Sequence, residues 1–276
     1  MKQDQAQRAI ACFAVVGALI LMCPGMAREW PRGLAPEFGG AQVGKYKGIH
    51  PAAFIFDLDG TLIDSGLDIA LSANFTRVHF ELPEIPVPVV KGFVGDGVAK
   101  LLDRTLGHDV RSGQTGPAGL AVGEEMHAEA MKVFADHYGR HLLDNTILYP
   151  GVLETLLRYQ RIPLHLATNK PRAFTDRVLE GLHLAGAFRK IVCGDETPAR
   201  KPDPVHLQVA LRGLEVDLQN VVVVGDSPND VLAAKALGAV SVACTYGLVP
   251  PGLLKSSEPD FTIDAMSDLA GIFPSR

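Results

Sequence analysis

A short apolar run that ends in two carboxylates and a glycine constrains this chain more than any other feature. The run is Phe54-Ile-Phe-Asp-Leu-Asp-Gly60, and its apolar part has the composition of a β-strand. Because alternate side chains of a strand point the same way, Asp57 and Asp59 can face one small space at its end. Two carboxylates this close repel unless a hard cation neutralises them or one keeps a proton, and both conditions suit phosphoryl chemistry. An Asp-Gly turn between two strands is the alternative for this segment taken alone.

Two further apolar runs also stop in polar residues. Leu164-His-Leu-Ala-Thr-Asn-Lys170 ends in a hydroxyl and an amide, and Val221-Val-Val-Val-Gly-Asp-Ser-Pro-Asn-Asp230 ends in acids. Between them, Lys201 lies in the segment Arg200-Lys-Pro-Asp-Pro204. Unbroken β-branched runs are typical of buried parallel strands, and the ligands of open α/β sheets bind at the carboxyl ends of such strands. We therefore expect these segments to converge on one site.

Each of these segments has an ordinary structural alternative. Thr168 and Asn169 can cap a helix, and a lone loop lysine such as Lys201 is usually solvated. Asp226 and Asp230 can form a turn and a helix cap. The four segments together favour a single catalytic site over four unrelated loops.

The order and character of the four segments resemble the motifs of the haloacid dehalogenase superfamily of phosphohydrolases. The matching segments are residues 57–61, 168–169, 201 and 225–230. Within that superfamily, the chain is most similar to bacterial phosphoglycolate phosphatases. This second likeness covers roughly residues 52–250 and is carried by Leu148-Tyr-Pro-Gly-Val152, Thr168-Asn-Lys-Pro171, Arg200-Lys-Pro-Asp-Pro204, Val224-Gly-Asp-Ser227 and Thr245-Tyr-Gly247.

The resemblance implies roles for the residues that match the motifs. Asp57 would attack phosphorus to form an aspartyl-phosphate, and Asp59 would protonate the leaving alcohol and then activate water. The Thr168 hydroxyl and the Asn169 backbone amide would hold the phosphoryl oxygens. Lys201 would neutralise charge on the nucleophile and the phosphate.

The same resemblance implies Mg²⁺ as the cofactor. Asp57, the Asp59 backbone carbonyl and Asp226 would bind the ion, and Asp230 would orient a metal-bound water. The histidines and cysteines of the chain do not have the spacing that is typical of a zinc site.

The expected reaction is hydrolysis of a small phosphomonoester. The leading substrate is 2-phosphoglycolate, which would give glycolate and phosphate. A phosphomutase of the same fold and a non-catalytic phospho-accepting module are the alternatives. Because phosphoglycolate carries a carboxylate, we expect a cationic or amide donor from the cap that covers the site. Lys100 and Arg104 are the candidates for that donor.

The predicted fold class is α/β, a Rossmann-like doubly wound parallel sheet with an inserted α-helical cap domain. Residues 51–65 and 145–276 are predicted to form the catalytic core, and residues 66–144 the cap, with helices and without strands of its own. The first cap helix places Leu67, Leu71, Phe75 and Val78 on one apolar face. Strands are predicted over residues 162–167, 191–194, 221–225, 240–244 and 261–263, joined by right-handed crossovers.

Charge and composition narrow the range of partners. The 276 residues include 26 basic and 31 acidic side chains, and the basic ones do not cluster, which disfavours nucleic-acid binding. We expect the protein to bind a small phosphorylated metabolite and to be a monomer or a homodimer.

Residues 1–50 are predicted to form an apolar amino-terminal segment followed by a flexible linker. Lys2 and Arg8 precede an uncharged apolar run over residues 9–23, and the small residues of Gly25-Met-Ala27 follow it. This order is typical of a secretory signal. The run is too short for a stable membrane span. The resemblance instead implies a cytoplasmic protein, and for such a protein Met26 is an alternative start. We expect the protein to be located in the cytoplasm, and export through the amino-terminal segment is the alternative.

Overall fold

The chain is built around a central β-sheet. The computed structural model describes residues 49–109, 113–115 and 123–274. In these ranges the strands are β1 (Ala53–Phe56), β2 (Ile63–Asp64), β3 (His108–Asp109), β4 (Gln114–Thr115), β5 (Ile147–Leu148), β6 (Leu164–Ala167), β7 (Lys190–Val192), β8 (Val221–Gly225), β9 (Val240–Cys244) and β10 (Phe261–Ile263). The α-helices of the same ranges are α1 (Gly66–His79), α2 (Val87–Lys91), α3 (Val98–Leu106), α4 (Glu124–His141), α5 (Val152–Arg158), α6 (Arg172–Gly181), α7 (Val205–Leu211), α8 (Pro228–Leu237), α9 (Pro251–Ser256) and α10 (Leu269–Ile272).

Six of the strands form one parallel sheet in the order β10-β9-β8-β1-β6-β7. The first strand of the chain is central, because β1 pairs with β8 on one side and with β6 on the other. In this register Phe54 lies opposite both Val222 and Leu164. The predicted α/β class with a parallel sheet is confirmed.

Helices cover both faces of the sheet. Along β1, Phe54 and Phe56 face one apolar cluster, and Ala53 and Ile55 face a second one. This alternation follows from the pleat of a strand. Helices α5 and α6 contribute to the first cluster, and α7 and α8 contribute to the second. Because both faces are buried, the strands are apolar at nearly every position.

A helical layer is inserted between two short strands. The chain leaves the sheet through β2 and returns through β5, and these strands pair antiparallel. Between them lie α1 to α4, with α1 packed along α4. The Asp68 carboxylate near the start of α1 accepts hydrogen bonds from the backbone amides of Asn145 and Thr146, at 3.0 and 2.8 Å. It therefore ties the outgoing connection to the returning one.

The insertion is not entirely helical, so the prediction of a strand-free cap is wrong. The strands β3 and β4 pair antiparallel, with His108 opposite Thr115. Each of them is two residues long, which is too short to show the alternation by which a strand is predicted.

Helix α1 buries a different face from the one that its apolar spacing suggests. Leu71, Phe75 and Val78 are each about half exposed, whereas the buried positions include several polar side chains: Ser72, Asn74, Thr76 and Arg77. The Arg77 guanidinium donates to the backbone carbonyls of Pro83 and His108, at 2.6 and 3.2 Å. Hydrogen bonds of this kind allow a polar face to be buried.

The remaining strands lie close to their predicted positions. The ranges of β8, β9 and β10 are those predicted. The sixth strand begins at Leu164 rather than at residue 162, because Pro163 lacks the N–H group that a ladder requires. The seventh ends at Val192, and the Gly194 amide beyond it donates to the Lys170 carbonyl.

The predictions for the amino-terminal apolar run and its alternative start concern residues that lie outside the described ranges. None of the helices within those ranges has the length and apolarity that crossing a bilayer requires.

Candidate active site

The carboxyl ends of three neighbouring strands meet at one rim of the sheet. Asp57 follows β1, Thr168 follows β6, and Asp226 follows β8. The Asp57 amide donates to the Val224 carbonyl at 2.9 Å, which continues the pairing of β1 with β8 past the end of the assigned strand. The central position of β1 thus places Asp57 between the other two strand ends.

A cluster of three carboxylates forms at this rim. Asp57, Asp226 and Asp230 each offer a carboxylate oxygen within 4.8 Å of the others. Burial, opposed by Lys201 and reinforced by Asp230, raises the pKa of Asp57 from 3.8 to about 7. Burial and then the charges of Asp57 and Asp230 raise the pKa of Asp226 well above its ordinary value. Without a further positive charge, Asp57 and Asp226 hold protons more tightly than isolated carboxyl groups do.

Lys201 supplies the nearest positive charge. Its Nζ lies 2.8 Å from Asp57 Oδ1 and 2.6 Å from Asp230 Oδ1, and its side chain is only 3% exposed. Burial alone would lower the pKa of Lys201, but the Asp230 and Asp57 carboxylates raise it above its ordinary value. The Asn169 side chain holds the Lys201 backbone from both sides, since it donates to its carbonyl at 3.0 Å and accepts from its amide at 3.1 Å.

Asp230 has two functions in this arrangement. Its Oδ2 accepts from the Ser227 hydroxyl at 2.8 Å and from the Ser227 amide at 3.2 Å, as in a capping box at the start of α8. Its Oδ1 contacts Lys201. Asp230 therefore caps the helix with one carboxylate oxygen and takes part in the candidate site with the other.

Two glycines allow Asp226 to occupy its position. A Cβ atom on Gly60, which has a φ of +85°, would lie 2.0 Å from Asp226 Oδ2. A Cβ atom on Gly247 would lie 2.2 Å from Asp226 Cβ. Because real Cβ contacts are never this short, a larger residue at either position would displace the carboxylate.

The Asp59 side chain lies apart from the carboxylate cluster. Its Oδ1 accepts from the Ser65 hydroxyl at 2.5 Å and lies 2.9 Å from Lys170 Nζ. The two aspartates of the first motif therefore have different cationic partners, Lys201 for Asp57 and Lys170 for Asp59. Both side chains line the same cavity.

Lys170 and Tyr138 belong to the site although the sequence analysis assigned no role to either. Lys170 Nζ lies 2.6 Å from the Tyr138 hydroxyl, and the two side chains are almost fully buried. Burial would lower the pKa of Lys170, but Asp59 and Tyr138 raise it; burial raises the pKa of Tyr138 to about 12. The sequence contains a pattern that could have indicated each residue. Lys170 directly follows the Thr-Asn pair, and Tyr138 continues the four-residue spacing of Ala130 and Phe134 along α4.

A loop of the inserted layer contacts the rim directly. The Gly95 carbonyl accepts from the Asn169 side-chain amide at 2.8 Å. The neighbouring Asp96 carboxylate accepts from the Asn229 side-chain amide at 2.6 Å. Asn169 and Asn229 thus link the second and fourth motifs to this loop.

The two cap cations expected to meet the substrate do not face the cavity. Arg104 pairs with Asp96 and donates to the Phe93 carbonyl at 3.2 Å. Lys100 is exposed on α3. Neither Lys100 nor Arg104 is among the residues that line the cavity, and Asp96 holds the Arg104 guanidinium, so the structure does not support either as the cationic donor. The cation that lines the cavity is Lys170, from the core.

The cavity between the rim and the inserted helices is small and largely apolar. It offers water-sized molecules about 50 Å³, roughly the room of three to five waters. Its polar lining comes from the core and includes Asp57, Asp59, Thr168, Asn169 and Lys170. Its apolar lining comes mainly from the inserted helices and the loop before α3 and includes Ile69, Val94, Val98, Leu101 and Phe134.

Comparison with known proteins shows which family the chain resembles. A family model described as haloacid dehalogenase-like hydrolase matches residues 54–244. The chain belongs to this family. The resemblance found in the four motifs is thereby confirmed.

Relatives and solved structures of haloacid dehalogenase-like hydrolases agree with this assignment. A protein of Chromobacterium violaceum named phosphoglycolate phosphatase is 36% identical over 230 residues, which is 80% of this chain and 95% of that protein. A protein of Neisseria meningitidis with the same name is 35% identical over 223 residues, which is 80% of this chain and 92% of that protein. A crystal structure from Haemophilus somnus, described as a predicted phosphoglycolate phosphatase, superposes with a TM-score of 0.73 at 29% identity and covers 80% of this chain and 97% of that one.

The residues of this haloacid dehalogenase-like hydrolase fit a divalent cation. Three buried carboxylates share one small space with a single ammonium, that of Lys201, which leaves negative charge uncompensated when all three are ionised. Carboxylate oxygens are the ligands that a hard cation such as Mg²⁺ prefers.

Proposed function

We propose that this chain is a Mg²⁺-dependent phosphatase that hydrolyses a small phosphomonoester, with 2-phosphoglycolate as the leading substrate, through an aspartyl-phosphate on Asp57. The observation that carries the proposal is the placement of Asp57 at the end of the central strand, paired with Lys201 and facing the cavity that Asp59 also lines. The names of the bacterial relatives support the same reaction class.

Asp57 is the proposed nucleophile. Its Oδ1 is held by Lys201, so one carboxylate oxygen is fixed while the group faces the cavity. Attack of a carboxylate oxygen on phosphorus breaks the ester bond to the leaving alcohol and transfers the phosphoryl group to Asp57. Lys201 offsets the negative charge that the nucleophile and the phosphoryl group bring together.

Asp59 is the proposed acid and base. It donates a proton to the oxygen of the leaving alcohol and then takes one from the water that attacks the aspartyl-phosphate. Ser65 and Lys170 fix the orientation of its carboxylate. The Thr168 hydroxyl and the Asn169 backbone amide, both at the end of β6, are the proposed donors to the phosphoryl oxygens.

Asp57, the Asp59 backbone carbonyl and Asp226 would hold Mg²⁺, and Asp230 would orient a water in its coordination sphere. Bound there, the ion supplies positive charge for the phosphoryl oxygens. Gly60 and Gly247 leave the space that the Asp226 side chain occupies, and the Leu248 amide donates a hydrogen bond to its carboxylate at 2.7 Å. These contacts fix Asp226 in the position proposed for a metal ligand.

The inserted helices act, in this proposal, as a cap over the leaving group. Their apolar side chains, among them Val98, Leu101 and Phe134, line the cavity that Asp57 and Asp59 also line. The names of the bacterial relatives favour a phosphatase for small esters over the phosphomutase alternative. The position of Asp59 beside the cavity favours turnover over a module that only accepts a phosphoryl group.

The proposal is tested by phosphate release from a panel of phosphomonoesters, with purified protein and Mg²⁺. We expect the highest kcat/KM for 2-phosphoglycolate among small esters and no turnover when Mg²⁺ is chelated. Asp57→Asn removes the nucleophile at nearly constant volume, and we expect it to abolish turnover while the circular dichroism spectrum stays that of the wild type. Asp217→Asn, far from the rim, is the matched control and should keep full activity. Wild-type activity in Asp57→Asn, or phosphorylation of Asp57 without phosphate release, would overturn the proposal.

A further inference from the structure

The position of Lys170 allows more than the orientation of Asp59. Its side chain is 4% exposed and lines the cavity at the end of β6. The phosphoryl group already has Lys201 on the side of Asp57. Among the residues that line the cavity in the described part of the chain, Lys170 is the only one with a cationic side chain. Its Nζ contacts Asp59, the group assigned to the leaving oxygen.

The Tyr138 hydroxyl lies beside Lys170 with a proton left to donate. Lys170 is a donor without acceptor capacity, so in the 2.6 Å contact the Tyr138 oxygen accepts. A phenol that accepts one hydrogen bond keeps its own O–H for another partner. Within the described residues, the contacts of the Tyr138 hydroxyl include no acceptor for that proton.

The two side chains therefore present two adjacent donors, one from the core and one from the cap. The carboxylate group has two acceptor oxygens, which two neighbouring donors can engage together. The surrounding walls are apolar, with Val98, Leu101 and Phe134 among them, so an anion held there interacts more strongly than it would in water. Asp59 keeps the Ser65 hydroxyl as a second partner while Lys170 contacts an incoming anion.

We propose that Lys170 and Tyr138 together bind a carboxylate on the leaving group, and that the enzyme therefore selects phosphomonoesters of small 2-hydroxy acids. This inference rests on the phosphatase function proposed above. Lys170 lies 2.9 Å from Asp59, the group assigned to the leaving oxygen, so a carboxylate on Lys170 is separated from that oxygen by a short carbon chain.

The experiment compares two esters with the same two-carbon chain, 2-phosphoglycolate and 2-hydroxyethyl phosphate, of which the first ends in a carboxylate and the second in a neutral alcohol. The measured quantity is the ratio of their kcat/KM values. A site that binds a carboxylate strongly rejects the analogue that lacks it, and we expect a ratio of about 100 or more for the wild type. We expect Lys170→Met to lower the ratio at least 30-fold, and Tyr138→Phe to lower it about tenfold.

The ratio distinguishes binding of the carboxylate from mere support of Asp59. A Lys170 that only positions Asp59 would lower kcat/KM for both esters equally, and the ratio would not change. Lys132→Met, which removes an exposed cation from the same helix as Tyr138, is the control and should leave the ratio at the wild-type value.

Each outcome decides the inference. A wild-type ratio near one, or an unchanged ratio in Tyr138→Phe, overturns it while hydrolysis of both esters leaves the phosphatase function intact. If Lys170→Met is inactive toward both esters or fails to fold, the ratio in Tyr138→Phe decides. If the wild type hydrolyses neither these esters nor any other phosphomonoester, both the function and the inference are overturned.

Discussion

The side-chain amide of Asn229 lies 2.6 Å from the Asp96 carboxylate, and this hydrogen bond joins the first turn of α8 to the loop before α3. Asn229 lies between Asp226 and Asp230 in sequence, so the segment that carries two of the clustered acids also holds the cap. Contact between cap and core is thereby linked to the arrangement of the proposed metal site.

The first prediction concerns this link. Asn229→Ala removes a hydrogen bond to a charged group, and such bonds typically contribute about 1.5–3 kcal/mol. If that contribution stabilises the closed cap, we expect kcat/KM to fall roughly tenfold or more, with the melting temperature little changed. Steady-state kinetics on 2-phosphoglycolate measures the effect. Asn220→Ala, at the opposite end of the sheet, should match the wild type, and equal losses in the two variants would contradict the role of the link.

A second prediction concerns the stability that Mg²⁺ confers. An ion that binds the folded state alone stabilises it by about 2.7 kcal/mol at 100 times its Kd. For a chain of this size we expect a rise in the melting temperature of about 5–10 °C. Asp226→Asn removes a proposed ligand and should abolish most of this rise, as thermal scans with Mg²⁺ or with EDTA will show. An undiminished rise in Asp226→Asn would place the ion elsewhere.

The third prediction follows from the raised pKa of Asp57 in the metal-free protein. Its pKa is about 7 in the folded state against an ordinary value of 3.8. Between these values the folded state keeps a proton that the unfolded state has released. Asp57 therefore contributes stability below about pH 4, and this contribution is lost as the pH rises through about 7.

Asp57→Asn cannot titrate at this position, so the comparison with the wild type isolates the effect. We expect the free energy of unfolding of the variant, relative to the wild type, to increase as the pH rises from about 4 to about 8. Urea unfolding in EDTA at a series of pH values measures it. A difference between the two proteins that is constant over this range would show that burial does not retain the Asp57 proton.

The fourth prediction concerns the space that Gly247 leaves for Asp226. The methyl group of Gly247→Ala would overlap Asp226 Cβ, and the carboxylate must then move. We expect at least a 100-fold loss of kcat/KM and a smaller Mg²⁺-induced rise in the melting temperature. Gly252→Ala is the control, because its added methyl meets no atom within 4 Å. Full activity in Gly247→Ala would show that Asp226 can be displaced without consequence.

The sequence predicts the core of this protein better than its cap. The run that became β8 is continuous and β-branched, so its composition alone identifies a buried strand. The convergence of Asp57, Thr168 and Asp226 follows from a general rule of parallel sheets, that functional groups gather at the carboxyl ends of neighbouring strands. Their roles in catalysis stay predictions.

The cap was harder to predict because its contacts are decided by packing between helices. The spacing of Leu71, Phe75 and Val78 indicates an apolar face, yet this face is half exposed, while Arg77 is buried by hydrogen bonds to carbonyls that are distant in sequence. The contact of Tyr138 with Lys170 likewise joins a cap helix to a core loop, and periodicity within one helix does not show which loop it meets.

The central place of β1 in the sheet has a consequence for biosynthesis. This strand leaves the ribosome before the whole cap and before both of its neighbours, β6 and β8. Until those neighbours are translated, the backbone of β1 has no strand to pair with, and a nascent chain with such an unpaired apolar strand is prone to aggregate. Contacts between segments so distant in sequence also form slowly. We therefore expect the cap helices to fold first during translation, and chains released before β8 to depend on chaperones.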